Sequence, residues 1–309
     1  MPDHYVIQAA ESGPQLLIVA GVHGDEYEPI VAALQLVDEL PGLLSKGQVT
    51  IMPLANESAF RRGSRLGADT KDLARICPGD IAGTVTEQSA AIVSELIKTA
   101  DCLIDMHTGG ALYDIYPLVG YMMHKDPKVL MQQQHMAVAA GLPLIWGTDH
   151  RPDGRTLSVA RDSNIPAVYF EYGGGSAFRE HVVSSYKEAC MRIMAHLGMF
   201  EADYRVPGSR FNYWLEDERQ DSGYLQVKMP SPATGIFIPL VATGQLIRKG
   251  QLFGEVINPI ENESTMVIAE QDGLVFLVRV NTHVEAGDSL GGILEVELFN
   301  KTTIKDDAG

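Results

Sequence analysis

The sequence predicts a large α/β domain followed by a smaller β-rich domain. Two observations predict the first domain: apolar runs of strand length alternate with stretches of helical period, and several of these runs end in glycine-rich turns. From residue 223 onward the pattern changes to short β-rich runs punctuated by glycine. We assign residues 1–200 to the first domain, 201–222 to a linker and 223–300 to the second domain.

The elements of the first domain follow from periodicity and from turn residues. Apolar runs predict the strands, and the residues at 11–14, Glu-Ser-Gly-Pro, predict a turn between the first two. Apolar residues three and four apart predict the helices, and a capping box at 84–87 begins one of them. The predicted strands are residues 5–9, 15–20, 49–54, 102–107, 116–121, 143–146 and 167–170, and the predicted helices are 26–40, 127–140, 179–197 and the one that begins at residue 84.

Composition limits the classes of partner. The chain has 309 residues, of which 45% are hydrophobic and 21% charged, as in ordinary globular proteins. Its formal net charge of -16 repels phosphate backbones and anionic lipids. We therefore expect a small-molecule substrate and neither nucleic acid nor a membrane as partner, and a homo-oligomer is compatible with the sequence.

The expected location is the cytoplasm. The amino-terminal residues show no basic segment followed by an apolar one, so no secretory signal is predicted. No apolar run approaches the length of a membrane span. The three cysteines are odd in number and widely spaced, which argues against a disulfide framework and against a cysteine-based metal site.

The loop at residues 21–28 is the first candidate site. It joins a predicted buried strand to a predicted helix, which is where open α/β sheets place their chemistry. His23 and Glu26 are three residues apart, so an imidazole and a carboxylate can converge on one metal ion. The alternative is that Asp25 caps the helix and Glu26 interacts with the helix dipole.

A basic segment at residues 56–79 follows the third predicted strand. It shows neither helical nor strand period, so it predicts a long loop, and long ordered loops are usually functional. A guanidinium on such a loop can bind a carboxylate in bidentate fashion, although most arginines are solvated on the surface. Both interpretations stay open for Arg65 and Arg75, whereas we favour the surface for Arg61 and Arg62.

A second candidate site lies at the end of the predicted strand 102–107. Alternation along a strand places Asp105 and His107 on one face, and two glycines follow. A lone histidine there is more often a satisfied core residue. Because the first candidate site, at the end of another strand, carries His23 and Glu26, we take His107 as a third metal ligand. Asp105 is then a group that orients its imidazole.

The predicted strand 167–170 ends in the same way, with Glu171 before three glycines. A metal hydrolase needs a carboxylate beside the reacting water that is not itself a ligand, and Glu171 is our candidate for this general base. The alternative is a polar residue that merely marks the end of a strand. Residues 147–156 lack an apolar period, and they predict either a flap over a pocket or a plain surface loop.

Four motifs, in chain order, resemble the signature set of the succinylglutamate desuccinylase and aspartoacylase family of zinc carboxypeptidase-like hydrolases. The motifs are Gly21-Val22-His23-Gly24-Asp25-Glu26, Asp72-Leu73-x-Arg75-x-x-Pro78-Gly79, Asp105-x-His107 and Glu171-x-Gly173. They span about the first two thirds of the chain, and together they are far more specific than any one alone.

The resemblance implies a phosphorylase/hydrolase-like mixed-sheet α/β/α catalytic domain. It implies one zinc ion per chain, bound by His23, Glu26 and His107, with Glu171 as the general base. It also implies that Arg65 polarises the scissile carbonyl and that Arg75 binds a carboxylate of the substrate.

The chain departs from the family pattern at two positions. Ala74 stands where the family has Asn before the motif arginine, and Cys77 stands where the family has an aromatic residue. Ala74 cannot donate the hydrogen bond that an Asn amide gives to a carboxylate, so the usual acidic substrates do not follow from the resemblance. The forms at residues 24–28 and 171–174 resemble the branch that deacetylates N-acetylated diamino acids of ectoine breakdown.

The last third of the chain contains a doubled glycine-punctuated β pattern. It resembles the barrel-sandwich hybrid of biotinyl and lipoyl carriers. A carrier needs a lysine at the turn between its halves, and residues 258–266 contain none. We therefore expect a structural role, as a wall of the pocket or a subunit contact.

These observations predict a zinc-dependent amidohydrolase that deacylates a small N-acylated amino acid or a related carboxylate. A zinc carboxypeptidase acting on peptides is an alternative from the same class. A catalytically silent small-molecule-binding protein is an alternative from another class, which the change at Ala74 favours and the retention of all three ligands and the base opposes.

Overall fold

A large mixed sheet with helices and a second, smaller antiparallel sheet form the described part of the chain, which confirms the α/β prediction. The structure is a computed structural model, and it describes residues 3–208, 210–224 and 229–296. Residues 225–228 and 297–300 of the predicted second domain lie outside the described residues.

The first half of the described chain alternates strands and helices. Its elements are β1 (Tyr5–Gln8), β2 (Glu11–Val19), α1 (Tyr27–Glu39), β3 (Lys46–Met52), α2 (Glu57–Arg62), α3 (Val85–Lys98), β4 (Cys102–His107), β5 (Tyr113–Met122) and α4 (Pro127–Ala140). A short 3-10 turn, Leu73–Arg75, lies between α2 and α3.

The second half turns to strands after its last helix. Its elements are β6 (Leu144–Thr148), α5 (Thr156–Asp162), β7 (Ala167–Gly174), α6 (Glu180–His196), β8 (Tyr213–Glu216), β9 (Gly235–Pro239), β10 (Leu246–Ile247), β11 (Leu252–Asn258), β12 (Glu263–Ile268), β13 (Gly273–Arg279), β14 (His283–Val284) and β15 (Gly291–Leu294). None of the helices in the described ranges combines the length and the apolar composition of a membrane span.

The centre of the large sheet determines where the candidate residues meet. β3, β2, β4 and β7 run parallel as neighbours, and β5 then pairs with β7 in the antiparallel sense. The register pairs Val19 with Asp105 and His107 with Glu171. The carboxyl ends of β2, β4 and β7 therefore lie side by side, at the sheet edge where such folds bind ligands.

Helices cover both faces of this sheet. One apolar core joins the sheet to α1, α4 and α6, and it includes Leu36, Ala137 and Tyr186. A second core joins the opposite face to α3 and α5, and it includes Val93 and Val159. Alternate residues of the buried strand β4 contribute to each core, as expected for a strand covered on both sides.

Strands of the last third extend the large sheet. β13 pairs with β5, where Leu277 lies opposite Ile115, and β10 and β15 flank β13. The second sheet has the order β12-β11-β9-β14. β8, which lies inside the predicted linker, pairs with β6. Backbone hydrogen bonds therefore connect the predicted catalytic domain to the chain that follows it.

Two local predictions were wrong and one helix was missed, because contacts within or between segments determine these elements rather than an apolar period. The predicted turn at 11–14 belongs to β2, where Glu11 pairs with Lys46 across a register shift. The predicted long loop contains α2, which begins with the Asn56 side chain accepting from Ala59 N and ends at Gly63 in the left-handed conformation. α5 was not predicted.

Candidate active site

The three predicted metal ligands meet at the carboxyl edge of the sheet. His23 lies in the loop after β2, Glu26 directly precedes α1, and His107 is the last residue of β4. All three are buried, and one donor atom from each lies within 4.8 Å of the other two. The centres of the two imidazole rings are 5.1 Å apart.

Glu26 lies between the two imidazoles. Its Oε1 is 2.7 Å from Nδ1 of His23, and its Oε2 is 3.1 Å from Nδ1 of His107. Burial alone would raise the pKa of Glu26, but the charges and hydrogen bonds of the two histidines outweigh it and hold this pKa far below its ordinary value. The carboxylate is therefore ionised and faces the imidazoles rather than capping α1.

An aspartate contacts the far side of each imidazole. Oδ1 of Asp72 lies 3.3 Å from Nε2 of His23, and Oδ2 of Asp105 lies 3.1 Å from Nε2 of His107. Burial would lower the pKa of His107, but Asp105 and Glu26 raise it well above its ordinary value. The surrounding carboxylates therefore favour a positive charge at this position.

This donor set fits a catalytic zinc ion. Two imidazoles and one carboxylate are the three protein ligands of several catalytic zinc sites, which leave the fourth position to water or substrate. Each Nε2 lies near an aspartate, and each Nδ1 faces Glu26. Carboxylates outside the ligand set commonly orient metal-binding histidines through the second ring nitrogen in this way. The residues present therefore fit the metal that the sequence predicts.

Arg65 borders this cluster. Its Nε donates to Oδ2 of Asp72 at 2.9 Å, and its Nη1 lies 3.5 Å from Nδ1 of His23. Asp72 is itself held by the 3-10 turn, because it accepts from the backbone N of Ala74. Burial opposes ionisation of Asp72, but its contacts with His23 and Arg65 prevail and keep its pKa below the ordinary value.

Glu171 faces the same space from the neighbouring strand. It pairs with His107 in the register of β4 and β7, and its Oε2 is buried without a hydrogen-bond partner in the described chain. Burial raises the pKa of Glu171 to about 8, and the charge of Glu26 adds to this against the opposing effect of His107. A carboxyl group with such a pKa can both accept and return a proton near neutrality.

A cavity of about 260 Å³ connects these residues. It has room for a small molecule the size of an acylated amino acid. Its charged lining includes Arg65, Arg75 and Glu171, and its apolar lining includes Ile115, Leu118, Trp146 and Leu157. The Trp146 ring packs edge-on against Phe276 of β13, so the last third of the chain supports one side of the cavity.

The sequence analysis missed Arg155 and Tyr224. The guanidinium of Arg155 lies 4.7 Å from the ring centre of Tyr224, and that of Arg75 lies 5.7 Å from the same ring. Nε and Nη2 of Arg155 have no hydrogen-bond partner in the described chain although they are buried beside the cavity. Burial, together with the charges of Arg155 and Arg65, lowers the pKa of Arg75.

No pattern in the sequence singled out Arg155. It is one of two arginines in the polar segment 147–156, whose other arginine, Arg151, is exposed and pairs with Asp149. The structure shows that the end of this segment lines the cavity. Of the four arginines of the basic segment, Arg65 and Arg75 line the cavity, whereas Arg61 and Arg62 are exposed on α2 as expected.

Asp25 does not cap α1. Its Oδ2 instead accepts from the backbone N of Ala111 at 3.0 Å, which ties the loop after β2 to the loop after β4. Glu26 occupies the N-cap position without a capping hydrogen bond from its side chain. The alternative explanation of this motif as a helix cap is therefore wrong.

Comparison with known proteins gives consistent similarities. Residues 12–197 match the family model of the succinylglutamate desuccinylase/aspartoacylase catalytic domain. Over 296 residues, the chain is 30% identical to the N-alpha-acetyl-L-2,4-diaminobutyric acid deacetylase of Halomonas elongata, covering 92% of this chain and 83% of that protein.

Two solved structures share the fold. One is a succinylglutamate desuccinylase/aspartoacylase from Rhodobacter sphaeroides, with a TM-score of 0.83 at 26% identity over 95% of this chain and 89% of that one. The other is a product-bound ectoine utilization protein from Ruegeria pomeroyi, with a TM-score of 0.83 at 24% identity over 94% of this chain and 87% of that one.

Proposed function

This chain belongs to the succinylglutamate desuccinylase/aspartoacylase family, and from this premise we propose that it is a zinc-dependent deacylase that hydrolyses the amide bond of a small N-acylated amino acid. The observation that carries the proposal is the buried cluster of His23, Glu26 and His107, whose donor atoms lie within 4.8 Å of one another. Two imidazoles and one carboxylate that converge at one cavity wall are the protein ligand set of several catalytic zinc sites.

His23, Glu26 and His107 would hold the zinc ion. Such an ion supplies Lewis-acid chemistry, lowering the pKa of a water molecule and polarising a carbonyl oxygen. Asp105 would keep the imidazole of His107 oriented through its Nε2 atom, and Oδ1 of Asp72 lies 3.3 Å from Nε2 of His23.

Glu171 would act as the general base and then as the general acid. Its carboxyl group lines the cavity from β7 and lies in register with His107, which places a buried carboxyl group beside the proposed ligands, and burial raises its pKa above the ordinary value. Its buried Oε2 has no competing partner among the described residues, so this oxygen is free to hold the proton in transit.

Three arginines would bind the substrate. Arg65 lies nearest the cluster, beside His23, and would stabilise the negative charge that develops on the scissile carbonyl oxygen. Arg75 and Arg155 flank Tyr224 at the cavity wall, and their guanidinium groups suit a carboxylate of the amino-acid part.

The first substrates to test follow from the similarity to the Halomonas elongata protein. That protein is named for the deacetylation of N-alpha-acetyl-L-2,4-diaminobutyric acid. An acetylated diamino acid is small enough for the cavity, and its carboxylate matches the arginines. We propose N-acetylated diamino acids as the substrate class, ahead of acidic N-acyl amino acids, because Ala74 lacks an amide donor.

The test is a panel of N-acyl amino acids and dipeptides, assayed with and without a chelator. We expect turnover of acetylated amino acids that the chelator abolishes and added zinc restores. Preferential turnover of dipeptides would favour a carboxypeptidase. Purified protein that binds no zinc, and that zinc does not activate, would remove the basis of the proposal.

A variant separates the base from the metal site. Replacing Glu171 with Gln keeps the shape of the side chain but removes its capacity to accept a proton. We expect loss of turnover with zinc binding retained. An E171Q variant as active as the parent would remove the role of Glu171 and leave the metal centre unaffected.

A further inference from the structure

We propose that Thr156 is a positioning residue. It connects the polar segment 147–155, whose last residue lines the cavity, to the proposed metal ligand His107 through Asp105. This inference rests on the proposed metal centre and concerns residues outside its ligand set. Thr156 is the first residue of α5 and directly follows Arg155, so it joins the cavity wall to the centre of the sheet.

The contact chain consists of two steps. The hydroxyl of Thr156 donates to Oδ2 of Asp105, and the same oxygen lies 3.1 Å from Nε2 of His107. Only 3% of Thr156 and 1% of Asp105 are exposed, so the contact between them is shielded from bulk solvent. Losing a donor at such a site leaves a buried acceptor unsatisfied, which is costly.

Asp105 depends on this hydroxyl for its orientation. Its other oxygen, Oδ1, is buried and has no hydrogen-bond partner in the described chain. Both directional contacts of the carboxylate therefore converge on Oδ2, and without Thr156 only His107 would hold it. The carboxylate would then be freer to rotate about its bond to Cβ.

The orientation of Asp105 matters for the ligand atom of His107. When Nε2 carries the proton and donates to Asp105, Nδ1 is left with its lone pair facing Glu26, the neighbouring residue of the proposed ligand set. A displaced carboxylate allows the imidazole to turn or to change tautomer, and either change weakens the metal-ligand bond. Outer contacts of this kind change metal affinity by roughly 10- to 100-fold.

The segment before α5 shares this connection. Arg155 lines the cavity, and its backbone N donates to Oγ of Ser158 at 2.9 Å within the first turn of α5. Gly154 is fixed in turn, since its carbonyl accepts from the backbone N of Cys77. The position of the segment and the orientation of His107 are therefore linked through one hydroxyl group.

The first test compares the zinc dissociation constants of two variants, by competition with a chelator of known affinity. Thr156→Val keeps the shape and removes the hydroxyl, and we expect zinc binding to weaken by roughly 10- to 100-fold. Thr156→Ser keeps the hydroxyl, and we expect parental affinity. If Thr156→Val does not fold, Thr156→Ala removes the same hydroxyl with a smaller side chain and carries the same expectation.

Thr86 provides a matched control. It is fully buried, and its hydroxyl donates to a carboxylate oxygen of Asp69 at 2.6 Å, outside the cavity lining. Thr86→Val should lower stability without changing zinc affinity. An equal loss of zinc affinity in Thr86→Val and Thr156→Val would show a general effect of destabilisation and overturn the inference.

A double variant tests whether Asp105 carries the effect. In an Asp105→Asn background, Thr156→Val should weaken zinc binding little further, because both changes act on one contact. Fully additive losses would overturn the inference. Parental zinc affinity in Thr156→Val would overturn the role of Thr156 and leave the proposed function standing. A parent chain that binds no zinc would overturn both.

Hydrogen exchange tests the link to the segment. Binding of zinc to the parent and to Thr156→Ser should slow amide exchange in residues 147–156, because the ordered imidazole holds Asp105 and thereby Thr156. Zinc should not change the rate of amide exchange in residues 147–156 of Thr156→Val. Equal slowing in all three proteins would contradict the link.

Discussion

The imidazole rings of His23 and His107 lie with their centres 5.1 Å apart, and the two oxygens of Glu26 contact one ring each. The two histidines come from the ends of β2 and β4, which are parallel neighbours in the large sheet. Their meeting is therefore a consequence of strand order, because parallel neighbours bring their carboxyl ends to one edge. The first two predictions below concern what this edge binds.

Replacing Glu26 with Gln should weaken zinc binding. The change keeps the size of the side chain but removes the charge that faces both imidazoles. We expect a loss of at least about 100-fold in zinc affinity, the upper end of what removing an outer contact costs, because this residue is a ligand itself. Competition with a chelator measures it.

Glu28 supplies the control for that measurement. It is also buried at the start of α1, but its Oε1 accepts from the backbone N of Arg179 rather than from the cluster. Glu28→Gln should bind zinc as the parent does. Equal zinc affinities of the Glu26→Gln variant and the parent would contradict the assigned ligand set.

Replacing Arg155 with Ala should lower kcat/KM. A hydrogen bond to a charged group contributes about 1.5–3 kcal/mol, which corresponds to a loss of roughly 10- to 150-fold. Arg155→Lys should recover only part of this, since an ammonium group cannot bind a carboxylate through two parallel hydrogen bonds. Steady-state kinetics with an acetylated amino acid would measure both variants.

Arg61 is the matched control for Arg155. It is an exposed arginine of α2 that pairs with Glu57 four residues earlier, away from the cavity. Arg61→Ala should leave kcat/KM unchanged. A substrate-binding role for Arg155 would be excluded if both alanine variants showed parental kinetics.

Replacing Gly24 with Ala should disrupt the site. A Cβ at this position would lie 2.0 Å from the backbone carbonyl carbon of Ala59, so the middle of α2 would have to move away from the loop that carries His23. Overpacking of this kind costs about 1–3 kcal/mol or more, and here it also displaces a proposed ligand. Urea unfolding and zinc affinity would both report it.

Gly208 is the comparison for Gly24. A Cβ added there meets no atom within 4 Å, so Gly208→Ala should leave the free energy of unfolding nearly unchanged. Comparable stability of the two variants would mean that α2 does not pack on Gly24 as the structure has it.

Asp69 should make stability depend on acid pH. Partial burial would raise its pKa, but hydrogen bonds from Thr84 and Thr86 lower it from the ordinary 3.8 to about 2. The folded state therefore favours the ionised carboxylate, which stabilises the protein above about pH 4 and loses this effect as the pH falls towards 2.

The Asp69→Asn variant isolates this contribution. The difference in unfolding free energy between the parent and Asp69→Asn should be on the order of 1 kcal/mol at neutral pH, discounted for the partial exposure of the carboxylate. It should shrink as the pH falls from 4 to 2. A difference that stays constant over this range, measured by urea unfolding, would contradict the assignment.

The spacing of apolar residues in the sequence was sufficient to predict the elements that bury an apolar face. The helix predicted at 127–140 coincides with α4, and the capping box at residues 84–87 begins α3. The candidate ligands His23, Glu26 and His107 were also visible, because each follows an apolar run at a strand end. The spacing of apolar residues and the positions of strand ends depend on neighbouring residues along the chain, so a single sequence is enough to predict them.

The segments with no apolar period depended on the tertiary structure. α2 is defined by Asn56 and Gly63 at its ends rather than by a buried face, and only the fold decided that Arg65 and Arg75, for which both interpretations had stayed open, line the cavity. The same is true of the last third of the chain, where the pairing of β13 with β5 is a contact between distant segments.

The amino-acid sequence by itself determined the α/β class, the strand ends and the residue types able to hold a metal. Only the tertiary structure decided that Arg155 and Thr156 border the same space as those residues and that Arg155 lies over the ring of Tyr224. The physical reason is that the direction of a side chain on a polar loop is determined by its partners elsewhere in the fold, whereas that of a strand residue follows from alternation along its own chain.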